Sequence, residues 1–240
     1  TFNETIVFIG MGYFTGQHPP KLKDPTLGIQ ACHHVFLANA RAVKSFREMG
    51  INGQIGFVNV LQPNDPISQE PEDLRAWEIA EGIYTHWLYD PVLKGEYPQD
   101  MLAMAQTAFG VPEFHPGDAE LLKDNIVDFI GLNYYKREMV ACNDDVQGFD
   151  LNTSGQKGSG GGMGFKGLFK IVKNPNGVYT DWDWEIYPQG LTDAIGRIRH
   201  RYGEVPIYIT ENGLGAKDPI VNGAVLDQPR IDYLREHIRA

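Results

Sequence analysis

The chain has 240 residues, with 21 Lys and Arg against 31 Asp and Glu, giving a formal charge of −10. Its 42% hydrophobic and 22% charged residues sit near globular averages, which excludes disordered, fibrous and disulfide-stapled classes. The acidic balance argues against nonspecific nucleic-acid binding or attachment to an anionic membrane, and no apolar stretch approaches a bilayer span.

In chain order, Val35, Ala38, Ala42, Phe46 and Met49 recur at helical spacing, so the pattern predicts a helix over 29–49 that Gly50 stops. The run 54–61 (QIGFVNVL) is short and rich in β-formers. Pro63, Asn64, Asp65 and Pro66 close it, which predicts a buried strand. Residues 72–89 are helical by composition, and 98–108 and 118–124 read as two shorter helices. A second strand is predicted over 127–135 (VDFIGLNYY).

Residues 142–180 change character, with six glycines between Gly155 and Gly164, and predict a long surface insertion. Beyond it, Leu191, Ala194, Ile195, Ile198 and Tyr202 share one helix face that ends at Gly203. A third strand is expected at 206–210 (PIYIT), and another helix begins within 231–238. Helices alternating with nearly continuous apolar strands mark parallel β structure buried on both faces. Either a doubly wound sheet or an eight-stranded barrel satisfies that order. In both, ligand-binding groups lie just past the carboxyl ends of the strands.

Three runs place conspicuous polar residues at such ends: Asn3-Glu4, Asn133-Tyr134-Tyr135 and Glu211-Asn212-Gly213. Two glutamates on different strands can converge on one mouth, as glycoside hydrolysis requires: one protonates the leaving oxygen while the other attacks the anomeric carbon or activates water. Spacing alone equally allows Glu211 to cap the helix that follows or to pair with a basic neighbour, because Asn-Gly after a strand is ordinary turn chemistry.

The motifs carry a more specific resemblance. Thr1-Phe-Asn-Glu4 resembles the acid/base motif of family 1 glycoside hydrolases, Ile207-Tyr-Ile-Thr-Glu-Asn-Gly213 resembles their nucleophile motif, and Asp128-Phe-Ile-Gly-Leu-Asn-Tyr-Tyr135 resembles the strand between them. The resemblance implies an α/β fold, a (β/α)₈ TIM barrel, here incomplete. Residues 1–240 would form a single partial catalytic domain of about strands four to seven with their helices, about half of the eight.

It further implies that Glu4 is the general acid/base and Glu211 the nucleophile. Asn3 would hydrogen-bond the sugar 2-hydroxyl, Tyr135 would donate to Glu211, Asn133 would help line the site and Trp184 would stand on the aglycone side. Thr5 follows Glu4 where many members have proline, a difference that bears on local loop shape.

Thr180-Asp-Trp-Asp-Trp-Glu-Ile-Tyr-Pro-Gln-Gly-Leu191 resembles the corresponding run of the 6-phospho-β-glycosidase branch, and Gly155-Gln-Lys-Gly-Ser159 fits the insertion of the phospho-galactosidases. That branch implies a phosphorylated disaccharide or aryl glycoside as substrate, hydrolysed in the cytoplasm without a cofactor or metal. An unphosphorylated β-glucosidase and a noncatalytic truncated barrel are the alternatives. For Trp182 and Trp184 core packing competes with substrate stacking, whereas Trp77 and Trp87 read as core.

A partial sequence is also expected from the termini, since the chain starts at Thr1 without an initiator methionine and stops inside a helical pattern. The resemblance places the phosphate-binding serine, lysine and tyrosine on a final strand outside it, so the isolated chain is expected to be inactive. Cys32 and Cys142 have no partner at metal or redox spacing and predict buried free thiols. Gly162-Met-Gly-Phe-Lys-Gly167 satisfies a dinucleotide pattern, but it follows a polar loop and precedes strand and turn rather than helix. The scattered histidines suggest no metal cluster.

Overall fold

A computed structural model describes residues 1–145, 148–150, 155–158 and 162–240. The elements, in chain order, begin with α1 (Thr5–Ile9), a π-helical turn (Gly10–Phe14) and α2 (Pro25–Glu48). Next come β1 (Gly56–Val60), β2 (Asn64–Pro66), α3 (Pro71–Glu81), a second π-turn (Gly82–His86), α4 (Trp87–Leu93), α5 (Gln99–Ala108) and α6 (Asp118–Asp124). The strands β3 (Phe129–Tyr134), β4 (Glu138–Ala141), β5 (Gly148–Asp150), β6 (Gly162–Phe165) and β7 (Phe169–Val172) follow. The chain ends with α7 (Gln189–Tyr202), β8 (Ile207–Asn212), β9 (Ile220–Val221), β10 (Ala224–Val225) and α8 (Gln228–Arg239).

Backbone contacts divide these elements into two compact units. The first comprises Thr1–Leu61, Glu81–Asn133 and Arg199–Thr210; the second comprises Gln62–Ala80, Tyr134–Ile198 and Glu211–Ala240.

In the first unit, β1 and β3 pair in parallel, Gly56 opposite Phe129 through Val60 opposite Asn133, and β8 is the next strand beyond β3. Gly56 is required because a Cβ there would lie 2.3 Å from the Phe129 ring. The helix α2 starts where Asp24 accepts a hydrogen bond from the Leu27 N–H at 3.0 Å, with Pro25 in the first turn.

Its packed face is Ile29, Cys32, Phe36, Leu37, Ala40 and Val43, not the stripe that the sequence pattern selected. Val35, Ala38 and Phe46 are only part-buried, Ala42 is exposed, and Met49 is 72% exposed. Both stripes have helical period; the buried one carries the aromatic ring and branched side chains, whose burial contributes about 2 kcal/mol each. The third strand also departs from expectation. Tyr208 and Ile209 of β8 are 54% and 44% exposed, because β8 ends the three-stranded sheet.

In the second unit, the segment read as a surface insertion supplies sheet. β2, β4, β7, β6 and β5 form five strands in that order. Met163, Phe165 and Phe169 are buried there, and Gly162 and Gly164 lie within β6. The dinucleotide-like glycines fall on β6 and its turn into β7; within the run 142–180, residues 146–147, 151–154 and 159–161, Ser159 of the insertion motif among them, lie outside the described residues. Cys142 is exposed rather than buried, just past the end of β4, whereas Cys32 is buried as expected. Helix α7 buries Gly190, Ala194 and Ile198, on the expected face, and Gly203 closes it with φ 73° and an N–H to the Arg199 carbonyl at 2.9 Å.

Candidate active site

The six residues singled out in the sequence gather in two clusters, each inside one unit. In the first unit, the segment before α1 lies along β1: Asn3 bridges Val58 in parallel fashion, and Val58 donates to the Phe2 carbonyl at 3.0 Å. Glu4 then donates its N–H to the Val58 carbonyl at 3.1 Å and accepts from the Val7 N–H at 2.9 Å. It adopts the left-handed conformation, φ 50° and ψ 57°, as the residue that caps α1. That region disfavours residues with a Cβ. The turn therefore carries backbone strain at the residue whose carboxylate the motif singles out.

Asn133 organises this cluster. It is fully buried on β3, and its Nδ2 donates to Glu4 Oε1 at 2.8 Å and to Asn3 Oδ1 at 3.1 Å. Its Oδ1 accepts from the Thr210 hydroxyl at 2.6 Å. Both donors of the amide and one acceptor position of its oxygen are thus used. Asn133 is a bracket that holds Asn3 and Glu4. Thr210 was passed over in the sequence because a β-branched residue in a strand reads as propensity. Thr5 is wholly buried at the first position of α1, a place proline also fits, so the departure from the motif leaves the turn helical.

The second unit holds the other cluster. The Tyr135 hydroxyl donates to Glu211 Oε2, and the Tyr135 ring lies 5.3 Å from that of Trp184, tilted by 50°. Asn212, next to Glu211, donates to the Tyr134 carbonyl at 2.9 Å and to the Tyr233 hydroxyl at 3.2 Å. Tyr233 in turn donates to the Tyr135 carbonyl at 2.9 Å. The backbone on both sides of the phenol–carboxylate pair is therefore pinned. Asn212 was visible in the sequence only as part of its strand-end run and Tyr233 was not singled out; their role depends on α8 packing near the strand end, which no short motif encodes.

Trp184 sits in a loop built around Thr180, whose hydroxyl accepts from the N–H groups of Trp182 and Trp184 at 3.2 and 3.3 Å. The two indoles meet edge to face at 5.8 Å. Beneath them Arg137 holds Glu185 through two bonds of 2.8 and 2.9 Å and stacks on Tyr187 at 3.7 Å. The Glu185 carboxylate keeps the Arg137 guanidinium firmly charged, raising its pKa above the ordinary value against the cost of burial. Trp182, Trp184, Tyr179, Met139 and Met163 line a cleft of about 160 Å³. Its cations are paired, Lys173 with Asp183 at 2.6 Å and Lys136 with Glu138 at 2.7 Å.

Trp87 is buried as the sequence suggested, and Trp77 is part-buried, donating to the Asn64 carbonyl at 2.5 Å. Among the described residues, no three His, Cys, Asp or Glu side chains are grouped to hold a metal ion.

Comparison with known proteins gives these clusters a context. Residues 1–240 match the family described as Glycosyl hydrolase family 1. The chain is 41% identical over 240 residues to the aryl-phospho-β-D-glucosidase BglC of Bacillus subtilis, covering 99% of this chain and 50% of that protein. It is 35% identical to a 6-phospho-β-galactosidase of Clostridium acetobutylicum, covering 52% of it. The chain thus spans about half the length of the curated relatives it matches. Among solved structures, a family 1 β-glucosidase of Thermotoga maritima superposes with a TM-score of 0.83 at 31% identity, over 100% of this chain and 49% of the other. A β-glucosidase of Exiguobacterium marinum gives 0.82 at 32%. These neighbours are (β/α)₈ barrel enzymes, and the chain corresponds to a partial α/β segment of that fold.

Proposed function

Because the chain belongs to glycosyl hydrolase family 1, we propose that it supplies both catalytic carboxylates of a retaining β-glycosidase acting on 6-phospho-β-D-glucosides or 6-phospho-β-D-galactosides. The observation that carries this reading is that each motif carboxylate already has a neutral donor of its own, Asn133 for Glu4 and Tyr135 for Glu211. On this reading the elements correspond to about strands four to seven of an eight-stranded barrel.

Glu211 attacks the anomeric carbon while Glu4 gives its proton to the departing oxygen, and a glycosyl ester forms on Glu211. Glu4, now a carboxylate, takes a proton from water as the water opens that ester, and both groups return to their starting states. The phenolic bond orients the Glu211 carboxylate for attack. Asn3 holds the sugar 2-hydroxyl, and the cleft beside Trp184 receives the aglycone on an aromatic wall.

The phosphorylated substrate is favoured by the higher identity to phospho-β-glycosidases, 41% against 31–32% for the β-glucosidases of known structure. Such substrates arise where sugar is phosphorylated during uptake, which puts the work in the cytoplasm. A plain β-glucosidase is the second reading, favoured by the match to β-glucosidase structures. The 240 residues alone are expected to lack turnover.

A chimera in which this chain replaces the corresponding half of the B. subtilis relative tests the carboxylates. It should hydrolyse aryl 6-phospho-β-glucosides, and Glu211→Gln within it should lower turnover by about four orders of magnitude or more. Full turnover by that variant would overturn the assignment. For the substrate, the native gene product carrying this chain should prefer phosphorylated over plain aryl glycosides, and equal use of both would favour the second reading.

A further inference from the structure

We propose that Thr210 is a positioning residue for the general acid, acting through the Asn133 amide to decide which oxygen of Glu4 carries the transferable proton. The inference rests on the assignment of Glu4 as acid and deepens it.

An amide can face Glu4 with its NH₂ or with its oxygen, and the two faces have opposite effects on a carboxyl group. With NH₂ toward Glu4, as found at 2.8 Å from Oε1, Oε1 is an acceptor in both protonation states. The proton is then left to Oε2, to be given to the leaving oxygen. With the amide reversed, its Oδ1 would accept the acid proton and hold it on the protein side. Three oxygens surround the amide: Glu4 Oε1, Asn3 Oδ1 and Thr210 Oγ1. Of the three, the Thr210 hydroxyl is the one that can donate to the amide Oδ1 while Glu4 Oε1 and Asn3 Oδ1 accept, and it does so at 2.6 Å.

The amide is fully buried and Thr210 itself is exposed, so without that hydroxyl the amide oxygen loses the donor that fixes which way the amide faces. The place of Thr210 is itself prepared. Gly131 lies beneath it on β3, where a Cβ would come within 2.9 Å of Thr210 Cγ2 and 2.6 Å of Val58 Cγ2. The glycine two residues before Asn133 thus leaves room for the threonine that orients the amide. During glycosylation the Oε2–H bond of Glu4 breaks as its proton joins the glycosidic oxygen. The electrons of the sugar–oxygen bond leave with that oxygen, and Glu4 becomes the carboxylate that Asn133 continues to serve.

The test compares kcat/KM for two aryl 6-phosphoglycosides in the catalytically competent protein carrying this chain. Phenol as leaving group needs the acid, and dinitrophenol does not. Thr210→Val should lower the phenyl rate about tenfold or more and the dinitrophenyl rate less than about twofold. The alkaline limb of the phenyl profile should move to higher pH, and Thr210→Ser should restore both rates. If Thr210→Val does not fold, Thr210→Ala should show the same split.

Equal loss on both substrates, or no loss on either, would overturn the proposal. Glu4→Gln separates its failure from that of the underlying reading. If Glu4→Gln shows the leaving-group split and the Thr210 variants do not, only the role of Thr210 falls. If Glu4→Gln hydrolyses the phenyl substrate normally, the acid assignment falls and takes this inference with it.

Discussion

The surroundings of Glu4 and of Glu211 differ in kind, although both residues are glutamates at the end of an apolar run. Glu4 hangs from a left-handed turn and faces a buried amide whose nitrogen and oxygen are both hydrogen-bonded. Glu211 lies on a regular strand and faces a phenol held by its own backbone and by the Asn212–Tyr233 pair. An amide donor tolerates its partner in either protonation state, which suits a group that must gain and lose a proton. A phenol donor strengthens with negative charge on its partner, which suits a nucleophile. On the proposed reading, what donates to them is what would make two identical side chains chemically unequal.

The largest way to break the comparison is to exchange the chemistry of the carboxylates. In a competent protein carrying this chain, Glu4→Gln should reduce kcat/KM for a phenyl glycoside by about 10²–10⁴ but spare an activated one, read by steady-state rates. Glu211→Gln should suppress both. Equal effects of the two substitutions on both substrates would erase the distinction. Next in size, Tyr135→Phe removes the phenolic donor while keeping the ring against Trp184. Turnover should fall about 10–10³-fold with folding intact, the loss typical of a single donor to reacting charge. Circular dichroism and rates together check this.

Support for the Trp184 loop predicts a smaller effect, expressed in stability. Arg137→Met leaves the Glu185 carboxylate, 3% exposed, without its bidentate partner. Breaking such a pair costs about 3–5 kcal/mol, read as a shift in urea midpoint. Arg137 also bonds Asp65, which Arg197 shares at 2.8 Å, and that second cation keeps Asp65 paired in the variant.

The smallest effect concerns pH. Burial holds the pKa of His237 below its ordinary value, and it does the same for His33 despite the Asp118 carboxylate 3.3 Å away. Both imidazoles bind a proton less readily in the fold than in the unfolded chain, where they titrate near 6.5. The unfolded chain therefore binds more protons as pH falls below that value. Stability present above about pH 6.5 should decline toward pH 5, with a slope of up to about 1.4 kcal/mol per pH unit for each histidine. Denaturation midpoints at pH 7.5 and 5.5 measure it, and a flat profile would contradict the burial argument.

Much of this was legible in the sequence where one short segment suffices. α6 lies on the residues that composition selected, and α7 buries the expected face. The helix α2 was legible but its buried face was not, because the alanine, valine and phenylalanine of its less buried stripe have the same period as the core stripe. The five-stranded sheet was hidden for a different reason. Its glycine-rich strands and the Asn64–Pro66 strand read as breakers, and pairing with distant segments made them sheet.

At the site, the strand-end polar residues were visible and their relations were not. Nothing local in Ile-Tyr-Ile-Thr indicates that Thr210 donates to Asn133, 77 residues away, or that Tyr233 reaches the Tyr135 backbone. Such links depend on how β3, β8 and α8 are placed, and hydrophobic period does not encode that placement.

The division of labour between the two carboxylates is tested most directly by trapping the intermediate in a Glu4→Gln variant of the competent protein. An activated dinitrophenyl 6-phosphoglycoside needs no acid to leave, and without Glu4 no base assists water, so the glycosyl ester should accumulate. Mass spectrometry of the quenched and digested protein should find the phosphosugar on the peptide containing Glu211, in amounts approaching one per chain. An unmodified Glu211 peptide during steady turnover, or the sugar attached elsewhere, would contradict the account.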